Sequence, residues 1–372
     1  MSEGMLFELL CVGLETKPVH SLSLEHFREL SQEDWQALRK MSEKQGVSAI
    51  VFDGLSELIN NFGRDQICPN INPVWWQTYA IKWIGHQQQV EGRNYQQKKV
   101  TEEMAKQWAD AGCRVMVMKG QACARMYPRP EHRVPGDIDC YLFENYTLSN
   151  NIARKAGAKV NERWYMHSQI HYKGEMFENH QFFVHTREGK RSKLLEKELE
   201  EALNSKVLKD STTVKMSEHT ELPPVQWNAM FLTYHACSHF ISEGMRLKQL
   251  LDWAMLLNKH QNDVDWPQFY SFCERHHLRR FAEAATAISV EYLGIKITNP
   301  AITTVSPYAE KILNSALYDN DYVFGSGESG WNNRWHLVRN LFHYRWKYEK
   351  IYQTSVWKQL WWYVSGYLFK TE

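Results

Sequence analysis

The sequence lacks an excess of either charge. Its 372 residues carry 44 Lys and Arg against 43 Asp and Glu, a formal net charge of +1 at pH 7. So even a balance gives no electrostatic ground for bulk nucleic-acid binding. It also lacks any apolar stretch of the roughly 18 residues that a membrane-spanning helix needs. The opening segment, MSEGMLFELLCVGLETK, is acidic and its apolar run is short, which argues against a secretory signal. There is no CxxC pair. The seven cysteines, at 11, 68, 113, 123, 140, 237 and 273, are odd in number and scattered. In a long chain that pattern reads as reduced thiols, so a cytoplasmic location is expected. Internal repeats and low-complexity segments are missing too. What remains is ordinary globular material, 43% hydrophobic and 23% charged, enough for two or three packed units.

Local signals divide that material into three regions. Residues 1–110 read as helices. In SQEDWQALRKMSEKQG, Ser31 caps a helix with Asp34 three residues on, and Gly46 stops it. Asn72-Pro73 starts a long aromatic-faced helix that ends at Gly112, with a break expected near Gly85 or Gly92. From 111 to 205 the character changes. CRVMVMKG and DIDCYLF read as short buried strands, separated by a short helix and a proline-rich loop. A helix over NYTLSNNIARKAGA follows, ended by Gly157, and QIHYKGEMFENHQFFVH reads as a hairpin turning at Lys173-Gly174. Helical patterns then return over 206–372.

The stretch GDID, at 136–139, sets the chemical question. Alternate strand residues share a face, so Asp137 and Asp139 lie about 6.5 Å apart along one side. Two anions held side by side call for a cation, and oxygen donors suit Mg²⁺ or Mn²⁺. Two such ions about 4 Å apart can clamp the attacking and leaving oxygens of a phosphoryl displacement. A D-x-D alone is more simply a solvated strand entrance. Its surroundings weigh against that. Upstream, VMVMKGQA is a strand ending in Lys119-Gly120, where glycine lets backbone approach a phosphate. Downstream, Glu178 interrupts the apolar run of MFENHQFFV and supplies a third acid on another strand.

These residues carry a resemblance. MKGQACARMYPRPEHRVPGDIDCYLF (118–143), FENH (177–180) and HACSHFISEGMRLKQLLDW (235–253) resemble the uncharacterised nucleotidyltransferase family within the polymerase-β-like superfamily. The resemblance covers about 110–275. It implies an α+β fold, a small mixed-sheet core flanked by N- and C-terminal helical regions. It implies attack of an acceptor hydroxyl on the α-phosphate of a nucleoside triphosphate, with pyrophosphate leaving. Asp137, Asp139 and Glu178 would be the catalytic and metal-binding acids. Gly120 and Gln121 would cradle phosphates with backbone amides, beside Lys119, Arg133 and Gly136. The superfamily usually has Gly-Ser where this chain has Gly120-Gln121, a departure that bears on phosphate gripping.

His235 and His239 lie four apart on one helix face, and with His180 and Arg246 they are expected to line the substrate cleft. An H-x₃-H pair can bind zinc, but no third soft ligand is placed to complete a site. His167 and His171 either face the same cleft or cap strands. The stretch from Trp331 mixes Trp and Tyr with Arg and Lys. That mixture suits an internal aromatic seam better than peripheral association with a partner or surface. Two alternatives stand beside the nucleotidyltransferase reading: a D-x-D glycosyltransferase using a nucleotide sugar, and a non-catalytic scaffold of the same fold. Lys119-Gly120 and Glu178 weigh against the first, and the presence of all three acids against the second.

Overall fold

The structure, a computed structural model, describes residues 3–186, 189–204, 214–242, 244–319 and 339–361. Its N-terminal region consists of α1 (Glu3–Gly13), α2 (Glu25–Arg28), α3 (Gln32–Lys44), α4 (Ser48–Phe62), α5 (Arg64–Ile67) and α6 (Pro73–Asp110). The expected caps are formed. Ser31 and Asp34 exchange the two hydrogen bonds of a capping box at the start of α3. Those bonds satisfy amides that a first helical turn leaves unpaired. Asn72 Oδ1 accepts from the amides of Val74 and Trp75, and Pro73 sits in the first turn, where its missing N–H is no loss.

The expected break in the long helix does not occur. α6 runs 38 residues through Gly85 and Gly92, roughly 57 Å at about 1.5 Å per residue. A Cβ on either glycine would meet no other atom within 4 Å. Both therefore lie on open helix surface, where glycine weakens a helix without bending it. Gly13 and Gly54 are a different case. A Cβ on Gly13 would fall 2.1 Å from the Ile50 carbonyl oxygen, and one on Gly54 2.0 Å from that of Leu9. These two glycines let α1 and α4 pack backbone to backbone.

Five strands follow: β1 (Met116–Val117), β2 (Ile138–Tyr141), β3 (Lys159–Asn161), β4 (His167–Tyr172) and β5 (Glu175–His180). They form one sheet in the order β1-β2-β5-β4-β3. β2 and β5 run parallel, and the other neighbours antiparallel. The fold is thus α+β, a mixed sheet between helical flanks. The hairpin turns at Lys173 and Gly174, both at positive φ. Two helices sit within this unit, α7 (Gln121–Ala124) and α8 (Tyr146–Lys155). On one sheet face Ile138, Cys140, Ile170 and Phe177 pack against Val100, Met104 and Trp108 of α6 and Ala153 of α8. Side chains alternate, so Asp139, Glu178, His180 and His167 occupy the opposite face.

The chain continues with α9 (Lys190–Asn204), α10 (Val225–Ser242), α11 (Leu247–His260), α12 (Trp266–Arg275), α13 (Arg279–Glu291) and α14 (Ala309–Tyr318). These helices share one apolar core with the N-terminal helices, in which Trp35, Trp83, Trp227 and Trp266 are fully buried. All seven cysteines are buried and unbridged. Among the described residues no helix is long and apolar enough to cross a membrane. Part of the aromatic C-terminal stretch packs inward, with the Trp346 ring 5.6 Å from that of Phe240 and Tyr348 buried. Residues 331–338 and 362–372 of that stretch lie outside the described residues, and so does any peripheral association they would make.

The glycines separate by experiment. Gly85→Ala and Gly92→Ala should each stabilise the protein by roughly 0.5–1 kcal/mol, the helix-interior preference of alanine. Gly54→Ala should destabilise it by about 1–3 kcal/mol, because a backbone carbonyl cannot move aside as a side chain can. Urea midpoints of the three variants decide. A loss of stability in Gly85→Ala would mean that α6 needs flexibility there.

Candidate active site

The loop that leads into β2 is held by one face of α6. Gln87, Glu91, Asn94, Gln97 and Thr101 recur at three- and four-residue steps, so they form one row. Glu91 Oε1 lies 2.8 Å from His132 Nε2, and Gln87 Nε2 reaches both His132 and Asp53. Asn94 Nδ2 donates to the carbonyls of Glu131 and Arg133, at 2.8 and 3.0 Å. Gln97 Nε2 donates to the carbonyl of Gly136 at 2.6 Å. Thr101 Oγ1 accepts from Gln121 Nε2 at 2.7 Å. His132 is gripped a second time through Nδ1, 2.6 Å from Asp53 Oδ2. Burial disfavours a charge on His132, but the two carboxylates outweigh it and raise its pKa above the ordinary value.

Within the same loop Arg133 turns inward. Its Nε and Nη2 each donate to a carboxylate oxygen of Asp252 at 2.7 Å, and the Tyr127 hydroxyl donates to the same carboxylate at 2.8 Å. The loop is thus pinned to α6 on one side and to α11 on the other.

This scaffold presents the carboxylates. Asp139 and Glu178 are register partners on the parallel strands β2 and β5. Lys119 Nζ lies 2.6 Å from Asp139 Oδ1, and His180 Nε2 lies 3.1 Å from the same oxygen. His180 Nε2 is also 3.6 Å from Glu178 Oε2, and His167 Nε2 is 3.3 Å from Glu178 Oε1. Burial pushes the Asp139 carboxyl up, but Lys119 and His180 outweigh that and hold it well below the usual range. Burial likewise opposes charge on His180, yet its bonds to Asp139 and Glu178 raise its pKa to about 9. Asp137 is shifted the other way, upward, by burial and then by repulsion from Glu178 and Asp139. The repulsion accords with their placement, since all three carboxylates line one cavity.

They face a cavity of about 560 Å³, within the roughly 300–1,000 Å³ of small-molecule sites. Its opposite wall is α10. His235 and His239 project from it, and their rings meet edge to face at 4.5 Å. His235 Nε2 lies 3.4 Å from Lys119 Nζ. Burial, Lys119 and His239 together hold His235 well below the usual histidine range, so it is neutral.

Of the residues singled out in the sequence, Lys119, Gly120, Arg133, Gly136, Asp137, Asp139, Glu178, His180, His235 and His239 line this cavity. Three do not. Gln121 turns its side chain to Thr101, Arg246 is exposed just before α11 begins, and His171 is exposed on β4. Arg133 lines the wall, but both forks of its guanidinium are taken by Asp252. The cation expected from Arg246 comes instead from Lys248, whose Nζ would lie 3.7 Å from a Cβ on Gly136. Burial and nearby Arg133 push Lys248 down to about 8. A signal for it existed, since Lys248 and Asp252 are four apart and share a helix face. Trp164, Gln169 and Tyr234 also line the cavity and carried no sequence signal.

The profile of a family described as uncharacterised nucleotidyltransferase matches residues 31–294. The chain belongs to this family. No curated protein and no solved structure matches it. The match runs from α3 through α13, so it reaches far beyond the stretch that carried the resemblance. The long helix of this nucleotidyltransferase, with its polar row, falls inside the family's span.

Two expectations test this electrostatic arrangement. Asp139→Asn leaves the buried Lys119 and His180 without their shared anion, which should cost on the order of 3–5 kcal/mol. Asp137→Asn relieves repulsion and should leave stability unchanged or raised. Thermal unfolding in the presence of a chelator compares them. Equal losses would refute the division of roles. Separately, His132 has a raised folded-state pKa, so its contribution is complete below the ordinary value of 6.5. That contribution is lost as pH rises through the raised value. Urea midpoints of the wild type should therefore fall across that window, and His132→Gln should flatten the fall.

Proposed function

We propose that this nucleotidyltransferase moves a nucleoside monophosphate from a nucleoside triphosphate to an acceptor hydroxyl, with Mg²⁺ or Mn²⁺ held by Asp137, Asp139 and Glu178. The observation that carries the reading is the convergence of those three carboxylates on one cavity, beside Lys119 and Lys248. The donor set fits the metal: hard oxygens, and a mutual repulsion that a cation relieves. When bound, the ion would neutralise phosphate charge and lower the pKa of the attacking hydroxyl.

The chain's own groups account for the rest. Lys119 and Lys248 supply positive charge for the triphosphate, a fixed complement to the anion. Gly120, at φ +56° and without a Cβ, leaves room for a phosphate against the backbone. Any grip at 121 uses the amide, because the Gln121 side chain is engaged elsewhere. Neutral His235 acts as a hydrogen-bonding partner rather than a charge. The acceptor oxygen bonds to the α-phosphorus as the bond from that phosphorus to the α,β-bridging oxygen breaks. Pyrophosphate takes the electron pair, and the hydroxyl proton passes to a carboxylate of the cluster.

Incubation with labelled triphosphates, Mg²⁺ or Mn²⁺ and pooled cell extract tests the reading. Pyrophosphate release with label transfer, both dependent on the metal, is expected. Asp137→Asn, Asp139→Asn and the double variant should have similarly low activity per folded molecule, several orders of magnitude down, as residues acting as a unit do. Near-normal transfer by Asp139→Asn would overturn the assignment. Sugar transfer from a nucleotide sugar, with triphosphates untouched, would favour the glycosyltransferase alternative.

A further inference from the structure

The carboxylates do not stand alone on their face of the sheet. His167 and His180 are directly opposed on β4 and β5, and Glu178 is the register partner of Asp139 on β2, with His180 Nε2 near both carboxylates. Donor atoms of His167, Glu178 and His180 all lie within 4.8 Å of one another. The two nitrogen-to-oxygen distances, 3.3 and 3.6 Å, are those of neighbouring ligands around one ion. Metal–ligand bonds of about 2.0–2.2 Å set adjacent donors roughly 3.0–3.6 Å apart in octahedral or tetrahedral geometry.

The surroundings orient both rings. His180 Nδ1 lies 3.1 Å from the Phe182 carbonyl oxygen, so Nδ1–H donates there and the Nε2 end faces the carboxylates. Such a bond at the far nitrogen is what usually fixes a ligating histidine. His167 Nδ1 is buried with no hydrogen-bond partner among the described residues, so that ring is oriented by its Nε2 end, toward Glu178.

We propose that His167 and His180 are metal ligands, which together with Glu178 and Asp139 form a mixed nitrogen–oxygen position selective for a first-row transition ion over Mg²⁺. The inference rests on the reading of this sheet face as a metal site and narrows which metal it takes. Imidazole suits Fe²⁺, Ni²⁺, Cu²⁺ and Zn²⁺ best, and Mn²⁺ stands between these and the hard ions, whereas Mg²⁺ keeps to oxygen and water. The proton that His180 shares with Asp139 gives way to the ion. Asp137, without an imidazole contact among the described residues, is left as the oxygen ligand for the triphosphate's side of the site.

Mn²⁺ is the probe, added to the full chain with and without a non-hydrolysable triphosphate. Pulsed electron paramagnetic resonance reads nitrogen coupling to the bound ion, and calorimetry reads its affinity. Imidazole nitrogen coupling is expected in the wild type, and a hundredfold excess of Mg²⁺ should not displace the ion. His167→Gln should weaken Mn²⁺ binding about tenfold or more and reduce the coupling, while the half-buried position lets the variant fold. His239→Gln, in the opposite wall, should keep the coupling. Bound Mn²⁺ without nitrogen coupling, or ready displacement by Mg²⁺, overturns this inference and leaves the proposed function standing. Absence of any divalent-ion binding, even with triphosphate, overturns both.

Discussion

The site depends on keeping three carboxylates close together in a half-buried volume. Unrelieved, that charge would drive the acids to protonate or the strands apart. The protein relieves it unevenly. Asp139 is given two cationic partners, Lys119 and His180, at 2.6 and 3.1 Å. Among the described residues Asp137 is given none of comparable closeness, and it is shifted upward. Asp139 is therefore as much a structural anion as a chemical one, whereas Asp137 is free to answer to what enters the cavity. The uneven distribution follows from strand geometry. Asp139 lies inside β2, opposite Glu178, while Asp137 precedes the strand.

Around that centre, separate stretches of chain meet. The back of the sheet packs on α6 and α8, and its front looks toward α10. Because N-terminal and C-terminal helices share a single apolar core, the wall that carries His235 and the helix that carries the polar row are parts of one packed body. Gln45 illustrates how closely they are joined. Its buried side chain accepts from the Leu247 amide at the start of α11 and donates to carbonyls of Ala316 and Leu317 at the end of α14. One residue from α3's end thus satisfies the termini of two distant helices.

What could be read in the sequence is what depends on neighbours in the chain. The caps at Ser31 and Asn72, the hairpin turn, the alternation in DIDC and the helix-end glycine at 157 are all local, and all are found. Asp139 and Glu178 on one face follow from alternation once the strands pair, with Asp137 just ahead of β2, and the fold class follows from the order of the segments. The features that escaped depend on distant partners. β3 has only three residues at the sheet edge, too few to show a period. Gly85 and Gly92 suggested a break because helix propensity is local, but α6 continues unbroken, packed against α4, α8 and the loop along its length. Arg246 and Lys248 are both basic and two residues apart. Which of them faces the cavity depends on how α11 is turned, and α11 is joined to the loop by the buried Arg133–Asp252 pair. The pairing also explains why Arg133 is not available as a simple phosphate-binding charge.

The row from Gln87 to Thr101 makes α6 a ruler for the loop beside it. Each mark is read by a different part of the loop: Glu91 by His132, Asn94 by the carbonyls of Glu131 and Arg133, Gln97 by Gly136. Inserting one residue in that span would turn every later mark by about 100° around the helix axis. The loop would then lose its readings together rather than one by one, and Asp137 follows immediately after the last carbonyl read. Evolution can therefore change the letters of this row one at a time but cannot readily change its length. Lineages of this fold should vary freely in α6 outside the row and hold the spacing within it constant.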